Sequence, residues 1–183
     1  VNPFGGPGAQ SIRDIALDAS GNIVAVGYFQ ADTPLTIGDT TLQGIGGDDG
    51  FIFKCDGDLS FLWAKSLGGE YTDQAFNVTT DANNRIYIGG GFDCFTDFLY
   101  DGISVLPSRI PNSLSNFLVV TDNNGQFLNS AGLYGEGIET IISFASATVP
   151  GVRENVAIYC VGNFYDYVEF AEGEMLFGEH NTG

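Results

Sequence analysis

The chain copies itself. Residues 12–29 read IRDIALDASGNIVAVGYF and residues 75–92 read AFNVTTDANNRIYIGGGF, with Asp18 and Asp81, and Phe29 and Phe92, each 63 positions apart. A second block recurs at an offset of 66: FIFKCD at 51–56 against FLVVTD at 117–122, and FLWAKSLGG at 61–69 against FLNSAGLYG at 127–135. A third partial copy runs through IISFASA at 141–147 and AIYCVGNF at 157–164, with an insert near Val149-Pro150-Gly151. Gly6, Gly69 and Gly135 mark one point in three successive units. A period of this length restricts the fold to an array of one supersecondary unit. The units are 5–68, 69–134 and an incomplete 135–183, within a single segment spanning 1–183.

Each unit reads as four short strands. In unit one they are IRDIALD, NIVAVGYF, FIFKCD and FLWAKSL. Asp18-Ala19-Ser20-Gly21-Asn22 joins the first two strands, and Asp122-Asn123-Asn124-Gly125 joins the last two of unit two. Asn and Gly accept positive φ, which tight hairpins require. Between strands two and three lies an excursion, LTIGDTTL at 35–42, FLYDGISVL at 98–106 and VEFAEGEMLF at 168–177. It reads as an extra hairpin or a long ordered loop. Four strands in about 65 residues cannot bury both faces alone, so the units must stack. Radial stacking of four-stranded antiparallel sheets is the β-propeller solution, and about three such blades are expected here. A β-sandwich predicts strands at similar spacing but no self-copy of this length. Gly89-Gly90-Gly91 on strand two suits the close approach of a neighbouring unit.

At these residues the chain resembles the bacterial β-propeller repeat of large secreted proteins, closest to Bacteroidetes-type extracellular forms. The residues that carry the resemblance are Gly5-Gly6, Asp18, Gly21-Asn22, Gly27, Thr40-Thr41-Leu42, Asp49, Phe51, Lys54 and Trp63-Ala64-Lys65-Ser66-Leu67-Gly68-Gly69. Unit two departs at Asn129, where Trp is expected, and unit three lacks the Asp-Gly-Asn turn. The resemblance implies a propeller, a secreted or cell-surface setting and no fixed activity; it carries no catalytic residues. VNPFGG at 1–6 aligns with AKSLGG at 64–69, so the chain opens inside a closing strand. A ring of at least four blades then needs the remainder of a longer polypeptide or a second copy.

Composition narrows the function. The balance of 23 acidic against 6 basic residues repels phosphate backbones and anionic lipid, which sets nucleic acid aside. No run of 18 apolar residues exists, so no membrane-inserting helix is expected. The odd count of cysteines (Cys55, Cys94 and Cys160) leaves one unpaired within the chain, and burial as small apolar groups is favoured over a disulfide. The single His180 beside Glu179 cannot anchor a Ser-His-Asp set. Neighbouring acids such as Asp48-Asp49 are expected by chance at this composition.

The reading is therefore a non-catalytic, secreted or surface-associated module for adhesion, scaffolding or protein and carbohydrate binding. The alternatives are a polysaccharide-acting hydrolase or lyase with its site on the ring face, and a structural spacer. The strand-two ends carry aromatics followed by acids, which suits sugars or basic peptides: Tyr28 with Asp32, Phe92 with Asp93, Tyr165 with Asp166. No cofactor is expected except, as a minority case, calcium at the turn oxygens of Asp56, Asp58, Asp122 and Asn124.

Overall fold

The computed structural model describes residues 4–93, 95–108 and 114–134, together with the strand backbones of 140–148, 156–163, 167–170 and 174–177. The fold is all-β, and every strand pair is antiparallel. Unit one holds β2 (Gln10–Leu17), β3 (Ile23–Gln30), β6 (Asp48–Cys55) and β7 (Phe61–Gly68), a four-stranded meander in that order. Unit two repeats it with β8 (Gln74–Thr80), β9 (Ile86–Asp93), β12 (Leu114–Thr121) and β13 (Phe127–Tyr134). Unit three contributes β14 (Thr140–Thr148) paired to β15 (Val156–Asn163).

The excursions are hairpins: β4 (Leu35–Ile37) with β5 (Thr40–Leu42), β10 (Phe98–Tyr100) with β11 (Ile103–Leu106), and β16 (Tyr167–Phe170) with β17 (Glu174–Phe177). None joins the sheet of its own unit. β10 pairs with β7 of unit one, and β16 pairs with β13 of unit two. β4 pairs with β1 (Phe4–Gly5), the stub of a closing strand, with Phe4 opposite Ile37 and Gly5 opposite Thr36. The register is that of Leu67 opposite Tyr100 and Gly68 opposite Leu99, one period on. Gly5 and Gly68 even share φ, 147° and 152°. Phe4-Gly5 thus pair as Leu67-Gly68 do one period on. The sheets thereby grow to six strands, four from one unit and two from the next.

Two of the hairpins, β4–β5 and β10–β11, also cover their own unit. Phe98, Tyr100 and Leu106 pack with Phe92, Phe117 and Tyr134. Phe98 stacks on Phe117 with centroids 4.3 Å apart. Leu35, Ile37 and Leu42 cover Phe29 and Phe51 in unit one. The β4–β5 and β10–β11 hairpins thus each pair with an outer strand upstream, which would otherwise present unpaired backbone groups, and shield an aromatic row on their own sheet.

Unit one then lies on unit two. Val24, Val26 and Ile52 from one face of the first sheet join Ala75, Val78, Ile86, Ile88, Phe117 and Val119 in one buried cluster. Hydrogen bonds cross at the repeat spacing: Val78 N donates to Asp14 Oδ2 (3.0 Å), Thr80 Oγ1 to the Leu17 carbonyl (2.7 Å), and Ala19 N to Asn84 Oδ1 (2.8 Å).

The strand-two glycines have a different cause from the expected approach of a neighbouring unit. A Cβ on Gly90 would overlap the Gln74 carbonyl oxygen and lie 2.8 Å from the Phe117 ring. One on Gly27 would overlap the Ser11 carbonyl oxygen and lie 2.9 Å from the Phe51 ring. Both glycines sit opposite a β-bulge in the first strand, at Ile12/Asp14 and Ala75/Asn77, within their own sheet. Gly90→Ala will therefore cost about 1–3 kcal/mol through overpacking, measured by urea unfolding.

Candidate functional site

The tight turns lie at one end of the sheets and the strand-two termini at the other. At the turn end, four aspartates repeat one arrangement. Oδ1 of Asp18 accepts from Ser20 N and Asn22 N, that of Asp56 from Asp58 N and Ser60 N, that of Asp81 from Asn83 N and Arg85 N, and that of Asp122 from Asn124 N and Gln126 N, all at 2.8–3.0 Å. The residue three positions after each aspartate has positive φ: Gly21, Leu59, Asn84 and Gly125. These side chains substitute for backbone partners in the turn.

The expected calcium oxygens sit in these turns. Asp56 and Asp122 are half-buried and committed to turn amides, while Asp58 and Asn124 point their side chains to exposed positions. Among the described residues no group of three or more His, Cys, Asp or Glu is placed to hold a metal ion.

Two motif residues far apart in sequence meet here. Lys54 Nζ lies 2.6 Å from Asp18 Oδ2, with both side chains almost wholly buried. Lys54 also donates to Asn123 Oδ1 and to the Asn123 carbonyl, 3.3 Å away, in the β12–β13 turn of unit two. Trp63 Nε1 donates to that same carbonyl at 3.3 Å. Burial alone would raise the Asp18 carboxyl, but Lys54, the Asn22 side chain and the Asn22 and Ser20 amides outweigh it and hold it at about 2. The Asp, Lys and Trp of the repeat thus form one staple between units. In unit two Val120 stands at the lysine position. There Asp81 takes the half-exposed Arg85 Nε (2.7 Å) and the Tyr87 hydroxyl (2.9 Å) instead.

At the opposite end lie the expected ligand residues. Tyr28 is half-buried, and the Arg13 guanidinium sits 4.9 Å from its ring centroid. Asp32 is exposed. Asp93 is half-buried and accepts from Phe95 N at 3.4 Å. Phe92 is different: it is wholly buried among Phe98, Phe117 and Tyr134 and offers a ligand no surface. Its strand parity points it under the β10–β11 hairpin. Tyr165 and Asp166 lie outside the described residues.

The exposed aromatics at this end are others. Tyr71, between β7 and β8, and Phe95, after β9, lie 5.1 Å apart by centroids and are both exposed. Glu70 N donates to Thr96 Oγ1 at 3.4 Å, which ties the two loops together beside Asp93. The sequence signal for this pair was weak: each aromatic sits alone in a loop, outside the strand pattern.

Two acids, Asp49 and Asp73, are buried at this end of the sheets. Asp73 takes Gly69 N on Oδ2 (2.5 Å) and Asp93 N on Oδ1 (3.1 Å). Burial raises its carboxyl most, the two amides lower it, and Asp49 and Asp93 raise it further, to about 7. Asp49, on β6, takes Ile45 N on Oδ2 (2.6 Å), while its Oδ1 is buried without a partner. Burial pushes it up to about 6 against the opposing Ile45 and Gly46 amides. Gly68 and Gly69 run past both carboxylates, and a Cβ on Gly68 would come within 2.6 Å of Asp49 Oδ1. The two acids are 2% and 1% exposed, so no substrate reaches them as they stand.

Cys55 is a buried free thiol, raised by burial and then by Asp56. No helix among the described residues is long and apolar enough to cross a membrane. Compared with family models and with curated proteins, the chain matches none.

Proposed function

We propose that the chain is part of a propeller-type array that serves as a non-catalytic binding module at the cell exterior. The radial arrangement is supported by the first strands, because β2 lies against β8 and β8 against β14, as strands around a common axis would. The secreted, bacterial setting rests on the repeat's resemblance alone.

The observation that carries the binding role is the exposed Tyr71–Phe95 pair, flanked in sequence by Glu70, Asp93 and Asp97. Aromatic faces supply stacking area for sugar rings or alkyl-ammonium stems, and carboxylates supply acceptors for hydroxyls or cations. The ligand class is thus a carbohydrate or a basic peptide segment. A glycan array and a set of Lys/Arg-rich peptides, probed with the chain and with Tyr71→Ala and Phe95→Ala, test this. The expected result is a binding series weakened about tenfold or more by either substitution. Binding that ignores both substitutions, or none to either panel, overturns the reading.

One observation favours a hydrolase or lyase: the raised carboxyls of Asp49 and Asp73 resemble the poised acids of glycoside chemistry. Both lie under the Gly68-Gly69 backbone rather than in an open cleft. Their environment accounts for them as junction residues, and the binding reading is preferred.

A further inference from the structure

Asp73 ties together the two segments that carry the exposed aromatic pair. Its Oδ2 accepts from Gly69 N (2.5 Å), at the start of the loop that holds Tyr71. Its Oδ1 accepts from Asp93 N (3.1 Å), in the segment that leads to Phe95. The same loop is held from β6 and the residues before it: Gly47 N donates to the Tyr71 carbonyl (2.9 Å), and Asp73 N to the Asp48 carbonyl (2.7 Å). Asp73 is almost wholly buried, so water does not compete for its carboxylate.

Unit one has neither the pair nor this clamp. Gly8 and Asp32 stand where unit two has Tyr71 and Phe95, and Gln10 and Gln30 stand where it has Asp73 and Asp93, all at the offset of 63. There the two segments meet through neutral groups: Gln30 N donates to the Ala9 carbonyl (2.8 Å), and Ala9 N to Gln30 Oε1 (3.4 Å). The four-stranded sheet therefore forms without an ionisable clamp. The acid occurs in the unit that carries the aromatic pair.

Among the described residues, the charged groups around Asp73 are acids. Asp49 faces it from β6 and Asp93 from β9, while Asp48 precedes Asp49, and Glu70 and Asp97 lie in the two clamped segments. Ionising Asp73 there adds a buried charge beside others of its own sign. Its carboxyl in the closed arrangement titrates at about 7, against about 4 for an aspartate in water. A group that holds its proton more tightly in a closed form than in an open, hydrated one favours closure at low pH, and that advantage is lost as pH rises through the closed value. We propose that Asp73 is a positioning residue that makes the Tyr71–Phe95 site dependent on acid: protonated, it holds the two segments together, and ionised, it lets them part and the rings separate. The proposal rests on the ligand reading for what the site does, but not for how the closure is measured.

Nuclear Overhauser effects between the Tyr71 and Phe95 rings, identified by their absence in Tyr71→Leu, report the closed pair without any ligand. From pH 5 to pH 8 they should fall about tenfold in one reversible step, while the far-ultraviolet circular dichroism of the sheets stays constant. Asp73→Asn cannot ionise and should remove the step. Asp49→Asn should keep the step and move its midpoint to lower pH, because a neighbouring charge that raises Asp73 is gone. Constant ring contacts across the range overturn the proposal. So does a step that survives Asp73→Asn, or one that coincides with loss of the sheet signal. If Asp73→Asn does not fold, the Asp49→Asn midpoint decides, and an unchanged midpoint overturns the proposal. Glycans or basic peptides that bind at pH 5 should bind the parent chain about tenfold more weakly at pH 8 and Asp73→Asn equally at both. Parent binding that ignores pH while the ring contacts titrate overturns the acid dependence of the site. A step in the ring contacts with no glycan or peptide bound at any pH overturns the ligand reading and leaves the clamp standing.

Discussion

Lys54→Met will destabilise the protein by about 3–5 kcal/mol, measured by urea unfolding at pH 7. The methionine fills a similar volume, so packing is not the main loss. What remains is Asp18, fully buried and low in pKa, without the ammonium 2.6 Å away that compensates its charge. Asn123 loses a donor at the same time, which loosens the hold of unit one on unit two. Adding Asp18→Asn to Lys54→Met removes the uncompensated charge while leaving an oxygen for the turn amides, and most of the loss should return. If the single substitution costs under about 1 kcal/mol, the staple contributes no more than an exposed pair. Arg85→Ala in unit two is the internal comparison. Arg85 is half-exposed, and its removal should cost far less.

Stability will be greatest in mild acid and will fall by on the order of 3 kcal/mol between pH 5 and pH 8. The direction follows from Asp49 and Asp73. Their folded carboxyls titrate near 6 and 7, above the unfolded aspartate value of about 4. The folded state therefore holds protons that the unfolded chain has released. This contribution is complete below about pH 4 and is lost as pH rises through 6 and 7. Asp18 acts oppositely: its value of about 2 means that its contribution is lost as pH falls below about 4. The optimum lies between the two windows. Asp49→Asn separates the cause. It keeps an oxygen for Ile45 N, places an uncharged amide where Oδ1 has no partner, and should raise stability at pH 8 while flattening the alkaline decline. Thermal or urea unfolding from pH 3 to 9 checks both statements. A flat profile above pH 5, or an Asp49→Asn variant that declines as steeply as the parent, would count against a buried proton at this junction.

Much of this was readable from the residues. The period, the four strands per unit and the Asp-led turns follow from local chemistry, and Asp18, Asp56, Asp81 and Asp122 all do in the structure what short polar side chains do beside a positive-φ residue. Repeat spacing also carried Asp18, Lys54 and Trp63 as motif residues, though not the fact that they converge on Asn123 of the next unit. The aromatic–acid pattern at the strand-two ends includes Phe92, which the structure buries. Alternation tells which residues share a face of a strand. It does not tell which face a hairpin will cover, and the β10–β11 hairpin covers that of Phe92 while Tyr71 and Phe95 stay outside.

By itself, then, the sequence determined the unit: its length, its strand order, its turns and the conformation of its closing strand, because these depend on neighbours a few residues away. Only the tertiary structure decided that each excursion hairpin pairs with the unit before it, that Gly90 answers a bulge in its own sheet, and that Asp49 and Asp73 are shut in together beneath Gly68-Gly69. Those outcomes depend on which edge is vacant and how much water is left once one sheet is laid on another. Such distances and dielectric conditions are set between segments distant along the chain, as Leu99 is from Gly68, and leave no mark on the residues taken singly.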